Sequence, residues 1–227
     1  MLFTPRAVDK QIMADKDLHY RVYDLSEGSP FINSKTSYFH RSLGGYHAAK
    51  LQRYDDIITR HLTKGTQSVV NMLNTKYIIQ GEGPQAQAQQ NPAALGNAWF
   101  VDTLLSVPNA NAEIDALSSF NAPTQAVVNE EFKDYVAGLN PNAQGSITMD
   151  VENYRPDDLV YQSNSSGEQL AVFSEVWYGP NKGWQAYIDD QPVEHIRVNY
   201  LLRALRIPAG QHKIEFVFEP STFTTGK

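Results

Sequence analysis

From residue 146 to residue 219 the chain reads as short alternating strands with no helical stretch between them, and this pattern narrows its possible folds most. The segments 146–154, 158–164, 169–177, 183–189, 195–199, 201–207 and 212–219 are separated by Gly, Pro, Asn and Asp. A short alternating strand has one apolar face to bury, and strands at this spacing bury it by stacking two antiparallel sheets. An all-β sandwich is therefore predicted for 146–227.

Ahead of the sandwich, helices and strands alternate. A strand is predicted at 20–25, followed by a segment rich in aromatics and glycine at 38–46. An amphipathic helix at 48–62 places Leu51, Tyr54, Ile57, Ile58 and Leu62 three or four residues apart, with Gly65 as its stop. A helical turn at 68–73 leads into a strand at 75–80. The stretch GEGPQAQAQQNP, 81–92, has the composition of a flexible excursion. A strand at 99–107, a helix at 109–120 and a strand at 124–130 complete the order β-α-β-β-α-β, which predicts a ferredoxin-like sheet covered by two helices. The fold class is thus α+β. The Gly, Pro and Asn cluster AGLNPNAQG at 137–145 has linker composition, giving an α+β domain at 1–136 and a sandwich domain at 146–227.

Composition excludes several function classes. With 41% hydrophobic and 19% charged residues the chain can build packed cores. A formal net charge of -6 opposes binding to nucleic acid, which rests on clustered Lys and Arg. There is no cysteine, so disulfides, thiolate metal sites and Cys nucleophiles are out. No run approaches the roughly 18 apolar residues that span a bilayer, and 1–16 mixes charge throughout without an apolar export core. The expectation is a soluble chain, either cytoplasmic or cut from a longer membrane protein.

No catalytic residue, metal ligand or cofactor site is predicted. Glycoside hydrolysis needs two acids flanking the scissile bond, and the available acids are Glu175, Asp189, Asp190 and Glu194, with Asp157 and Asp158 in a turn. Acids on sandwich strands are usually solvated, and Asp189-Asp190 sits where a hairpin bends. His40 and His47 are near in sequence, but Gly44-Gly45 interrupts them, and no HExxH cluster occurs. There is no GxSxG elbow, and GGYHAAK lacks phosphate-loop spacing. The most suggestive feature is the aromatic group Trp177, Tyr178, Trp184 and Tyr187, because flat rings stack on the apolar faces of sugars. Core packing is the competing account. Alternation puts Trp177 and Tyr178 on opposite faces, and puts Trp184 with Ala186 and Ile188 on the core side, with Tyr187 opposite. The candidate ligand-binding residues are Trp177, Tyr178, Tyr187 and Glu175.

Two segments, LNTKYII (73–79) and FSEVWYGPNKGWQAYIDDQPVEHIRVNYLLRALRIPAGQHKIEFVFEP (173–220), resemble the YfhO family of bacterial multi-pass membrane proteins. RVYDL (21–25), TSYFHRSLGGYHAAKL (36–51) and GNAWFV (96–101) extend the resemblance over nearly the whole chain. It implies a parent with many transmembrane helices, similar to the GT-C class of glycosyltransferases that use lipid-linked sugars. This stretch would then be the extracytoplasmic portion near its C-terminus. The catalytic acid of such enzymes lies between early membrane helices, so no catalytic residue carries over. The function implied is a non-catalytic accessory region that positions a glycan or polymer acceptor. Its partners would be the transmembrane part of the same parent chain and a cell-envelope glycan. A free-standing carbohydrate-binding module, or an interaction module without a small ligand, is the alternative.

Overall fold

Two compact units divide the chain, Met1–Gly96 and Asn97–Lys227. A computed structural model of the chain describes residues 3–17, 19–179 and 182–220. The first unit contains α1 (Ala7–Met13), β1 (Arg21–Asp24), α2 (Gln52–Arg60), α3 (Gln67–Met72), β2 (Thr75–Gln80) and β3 (Gln87–Gln90). The β-branched and aromatic side chains of TKYIIQ suit a pleated surface, and β2 is the centre of a three-stranded sheet. β1 lies parallel to it, with Val22 opposite Tyr77, and β3 antiparallel, with Ile79 opposite Ala88.

Two features of this unit differ from expectation. The stretch 81–92 is not a free excursion, because its backbone groups at 87–90 complete the edge of β2 while the Gln side chains stay outward. α1 was not foreseen. It places Val8 and Ile12 four residues apart against Val22 and Ile79, and its first turn is closed by the Arg6 backbone N–H donating to Asp9 Oδ2 at 2.8 Å. The Arg6 guanidinium bonds Asp9 at 2.9 Å and Asp24 at 2.7 Å, so one cation ties helix to strand. Burial opposes ionisation of Asp24, yet hydrogen bonds from Ser26, Arg6 and Thr36 hold its carboxyl below the ordinary range. α2 buries Ile57 and Ile58, and the chain after it turns at Gly65 in the left-handed region (φ 67°), the stop expected from sequence.

The second unit contains β4 (Ala98–Val101), β5 (Thr103–Val107), α4 (Ala110–Ala116), β6 (Gln125–Asn129), β7 (Ser146–Met149), β8 (Asp158–Ser165), β9 (Gln169–Val176), β10 (Trp184–Ile188), β11 (Gln191–Val193), β12 (Ile196–Val198), β13 (Leu202–Ile207) and β14 (Gly210–Phe218). Two antiparallel sheets, β11-β10-β14-β8-β7 and β12-β13-β9-β4, bury one core between them. At its centre Tyr161, Phe173 and Phe216 meet edge to face, Phe173 lying 4.9 Å from each of the other two rings. Such pairs match the positive ring edge to the negative face.

The expected strand 99–107 is two strands broken at Asp102. Phe100 of β4 enters the sandwich core, and β4 pairs with β9. β5 instead pairs in parallel with β6, with α4 between them in sequence. The strands predicted to form one ferredoxin-like sheet therefore lie in three different sheets. The chain is mixed α+β, with antiparallel sheets in its C-terminal half.

The linker-like stretch 137–145 lies inside the second unit. The backbone N–H groups of Asn142 and Ala143 donate to Gln169 Oε1 at 3.2 and 3.1 Å, and Ala143 packs on the core. Buried Glu113 of α4 accepts from Arg197 of β12 at 3.2 Å and from the Tyr200 N–H at 2.9 Å. Asn199 grips Val127 from both sides, its N–H donating at 2.9 Å and its Oδ1 accepting at 2.7 Å.

Candidate functional site

One end of the sandwich carries a shallow apolar pocket of about 270 Å³ lined by Pro156, Asp157, Tyr178, Trp184 and Phe218. Its walls follow from strand alternation. Ile214 and Phe216 of β14 point into the core, and Phe218, the last residue of the strand, continues that face at the end of the sheet. Opposite Phe218 in the ladder is Trp184, the first residue of β10. The two rings lie 5.3 Å apart and tilted by 51°. Gly183 (φ 110°) makes this possible, since a Cβ there would come within 2.8 Å of the Phe218 ring and 3.0 Å of Pro220.

Tyr178 follows β9 and is 39% exposed. Trp177 turns the other way. Its backbone N–H donates to the Leu201 carbonyl at 2.7 Å, its ring sits beneath Gly179, and Arg197 lies 5.6 Å from the ring centre. Of the aromatic group singled out in the sequence, Tyr178 and Trp184 meet in the pocket while Trp177 and Tyr187 do not. Tyr187, on the outward face of β10, donates its hydroxyl to Glu219 at 3.0 Å, which raises its pKa. Trp184 packs on the core with Ala186 and Ile188, as alternation predicted, and it stays partly exposed because its outer part walls the pocket.

Arg203 lies behind Trp184. It is 2% exposed, its guanidinium carbon sits 4.0 Å over the indole centre and 5.3 Å from Phe216, and its Nε donates to the Val176 carbonyl at 3.1 Å. Burial lowers its pKa, and the charge of nearby Glu175 works the other way. Glu175 is half-buried and is not part of the pocket lining. Burial, with the Arg203 charge, pushes His195 down to about 4, so the imidazole is neutral at physiological pH.

The remaining acids have local roles. Asp189 accepts from His212 at 2.6 Å and from the Lys213 N–H at 2.9 Å, and Asp190 faces Lys213 at 3.7 Å. Asp158 pairs with Arg155, and the Glu194 carbonyl accepts from Tyr135. His40 bonds Asp9 at 3.1 Å, whereas His47 accepts from the Ala49 N–H at 3.1 Å. Among the described residues no group of three or more His, Cys, Asp or Glu converges on a metal position. Sequence reasoning missed Phe218, Asp157 and Pro156 as pocket residues. The Ile214, Phe216, Phe218 alternation was a signal for the first; the other two come close only through the fold.

Residues 143–227 match the family model of the bacterial membrane protein YfhO. The matched YfhO span runs from before β7 through β14 and contains all five pocket residues, as well as Arg203. No curated protein and no solved structure matches the chain. Among the described residues no helix is long and apolar enough to cross a membrane.

Proposed function

We propose that this chain is a non-catalytic extracytoplasmic region of a YfhO-family membrane protein, and that its pocket holds a neutral sugar ring of a cell-envelope glycan for the membrane part of the same parent. The observation that carries this reading is the pocket's chemistry. Tyr178, Trp184 and Phe218 offer ring faces to sugar C–H groups, and Asp157 supplies a carboxylate acceptor for hydroxyls. Aromatic rings beside a carboxylate also suit an organic cation. Arg203 weighs against that ligand, because its guanidinium already occupies one face of Trp184 at 4.0 Å and would repel a second cation on the other.

Trp184 provides the readout. Titration with neutral envelope oligosaccharides should change the tryptophan fluorescence and saturate, while choline should not. Tyr178→Ala, at a half-exposed position, should weaken sugar binding about tenfold or more, as expected for loss of a stacking ring, with an unchanged melting curve. Saturable choline binding, or sugar binding indifferent to Tyr178→Ala, rejects the reading. Turnover of a lipid-linked sugar by the purified chain would show that it is not merely accessory.

A further inference from the structure

Arg203 is the least expected group beside the pocket. It is almost wholly buried, its Nε is satisfied by the Val176 carbonyl, and among the described residues its Nη1 meets no hydrogen-bond partner. A guanidinium in such a place opposes folding, and an aliphatic side chain of similar volume would pack there with less penalty. What the position does give the charge is two aromatic rings, with the guanidinium carbon 4.0 Å from the centre of Trp184 and 5.3 Å from that of Phe216. Trp184 is shared with the pocket, whereas Arg203 is not in the lining. Whatever stacks on Trp184 from the pocket therefore meets a ring whose inner side already carries a cation.

From this we infer that Arg203 is the specificity-determining residue of the pocket: its buried charge, acting through the Trp184 ring, bars organic cations from a site whose lining would otherwise hold them. The inference rests on the reading of the pocket as a ligand site, and it adds the class of ligand that the site refuses. Three rings and a carboxylate, from Tyr178, Trp184, Phe218 and Asp157, are the parts of a cage for a quaternary ammonium group. Such a cage works through the negative faces of its rings. Arg203 draws the indole π density inward, and a cation stacked at a like distance on the outer side would stand roughly 8 Å from it, with the ring and not water between the two charges. Glu175 offsets part of the Arg203 charge. Arg155, next to the lining residue Pro156, is exposed and paired with Asp158, so water and its partner screen it. Sugar C–H groups carry only small partial charges and feel little of this repulsion. The buried, incompletely bonded guanidinium is thus accounted for by what it excludes.

The test is calorimetric titration of the full chain with choline and, in parallel, with neutral envelope oligosaccharides. Arg203→Met removes the charge and keeps the bulk, and should bind choline about tenfold or more tightly than the parent does. Arg203→Lys keeps the charge and should exclude choline. Adding Asp157→Asn to Arg203→Met should take away most of the gain, because the cation then loses its carboxylate. Circular dichroism melts establish that each variant is folded, and Arg203→Gln, neutral and still able to donate to the Val176 carbonyl, stands in if the methionine variant melts below the parent. Choline affinity equal in the parent and the neutral variant overturns the inference. So does an equal gain in Arg203→Lys, since lost packing and not lost charge would then have opened the pocket, and so does failure of both neutral variants to fold, which would make the charge structural. Absence of oligosaccharide binding by the parent counts against the sugar reading alone, because choline gained on loss of the charge shows the barrier whatever the natural ligand.

Discussion

At the scale of single residues, the interior end of the sandwich is governed by two basic side chains that share a small space. His195 is 3% exposed, its ring 5.3 Å from Phe216, and it stays neutral down to about pH 4 because protonation would place a second buried charge beside Arg203. The ordinary value of 6.5 applies once the chain unfolds. Above that value neither state takes the proton; between it and about pH 4 only the unfolded chain does; below about pH 4 both do. Stability should therefore fall as pH drops through this window, by up to about 3 kcal/mol, with no further loss from this group below it. His212, raised by Asp189, acts in the opposite sense. Denaturant melts of the parent and of His195→Gln across the window isolate the effect, which should shrink in the variant. Alternation foretold that Trp184 faces the core. In LRALRI alternation puts Arg203 on the face of Leu205 and Ile207 and Arg206 on the opposite one, but it leaves open which of the two faces lies in the core.

At the scale of elements, the acidic dipeptide considered for catalysis is a turn. Ile188 faces Gln191 across a two-residue loop, and Asp189 and Asp190 both have positive φ, 49° and 64°. Consecutive left-handed residues make the turn whose twist matches a hairpin, and Asn-Gly or Asp-Gly serves it best. Asp190 has a Cβ in that conformation and makes only an exposed pair with Lys213, a kind of pair worth little. Asp190→Gly is expected to raise stability by about 0.5 to 1 kcal/mol, read as a shift in denaturant midpoint at constant slope. The reverse is expected at Asp189, whose carboxylate holds both His212 and the Lys213 N–H. The hairpin itself was legible from Asp-Asp between two alternating runs, whereas β3 was not, since its strand character is supplied by β2 and not by its own Gln-rich side chains.

For the whole molecule, the sandwich depends on a strand from well before the predicted linker. β4 pairs with β9 from Ala98 opposite Phe173 to Val101 opposite Leu170, and Phe100 adds its ring to the core. A fragment starting at Asn97 should unfold in one cooperative transition. A fragment starting at Ser146 loses that strand, leaves the β9 edge unpaired, and should aggregate or melt without cooperativity. Cooperative unfolding of the shorter fragment would instead support a domain boundary at 137–145. The YfhO match begins at residue 143 and so covers neither β4 nor the segment from β5 to β6.

By itself the sequence determined whatever depends on neighbours along the chain. Side-chain alternation placed the strands from β8 to β14 to within one or two residues, apart from the three-residue β11, while β7 ends at Met149 rather than at 154; helical spacing placed α2, which begins at Gln52 rather than at 48. The tertiary structure alone decided which strands pair, because backbone hydrogen bonds carry no residue identity and the pattern of AWFV fits several sheets equally well. It also decided that Tyr178, Trp184, Phe218 and Asp157 share a pocket, since residues 61 positions apart at its extremes meet only when the ends of β9, β10 and β14 are brought together around a common core.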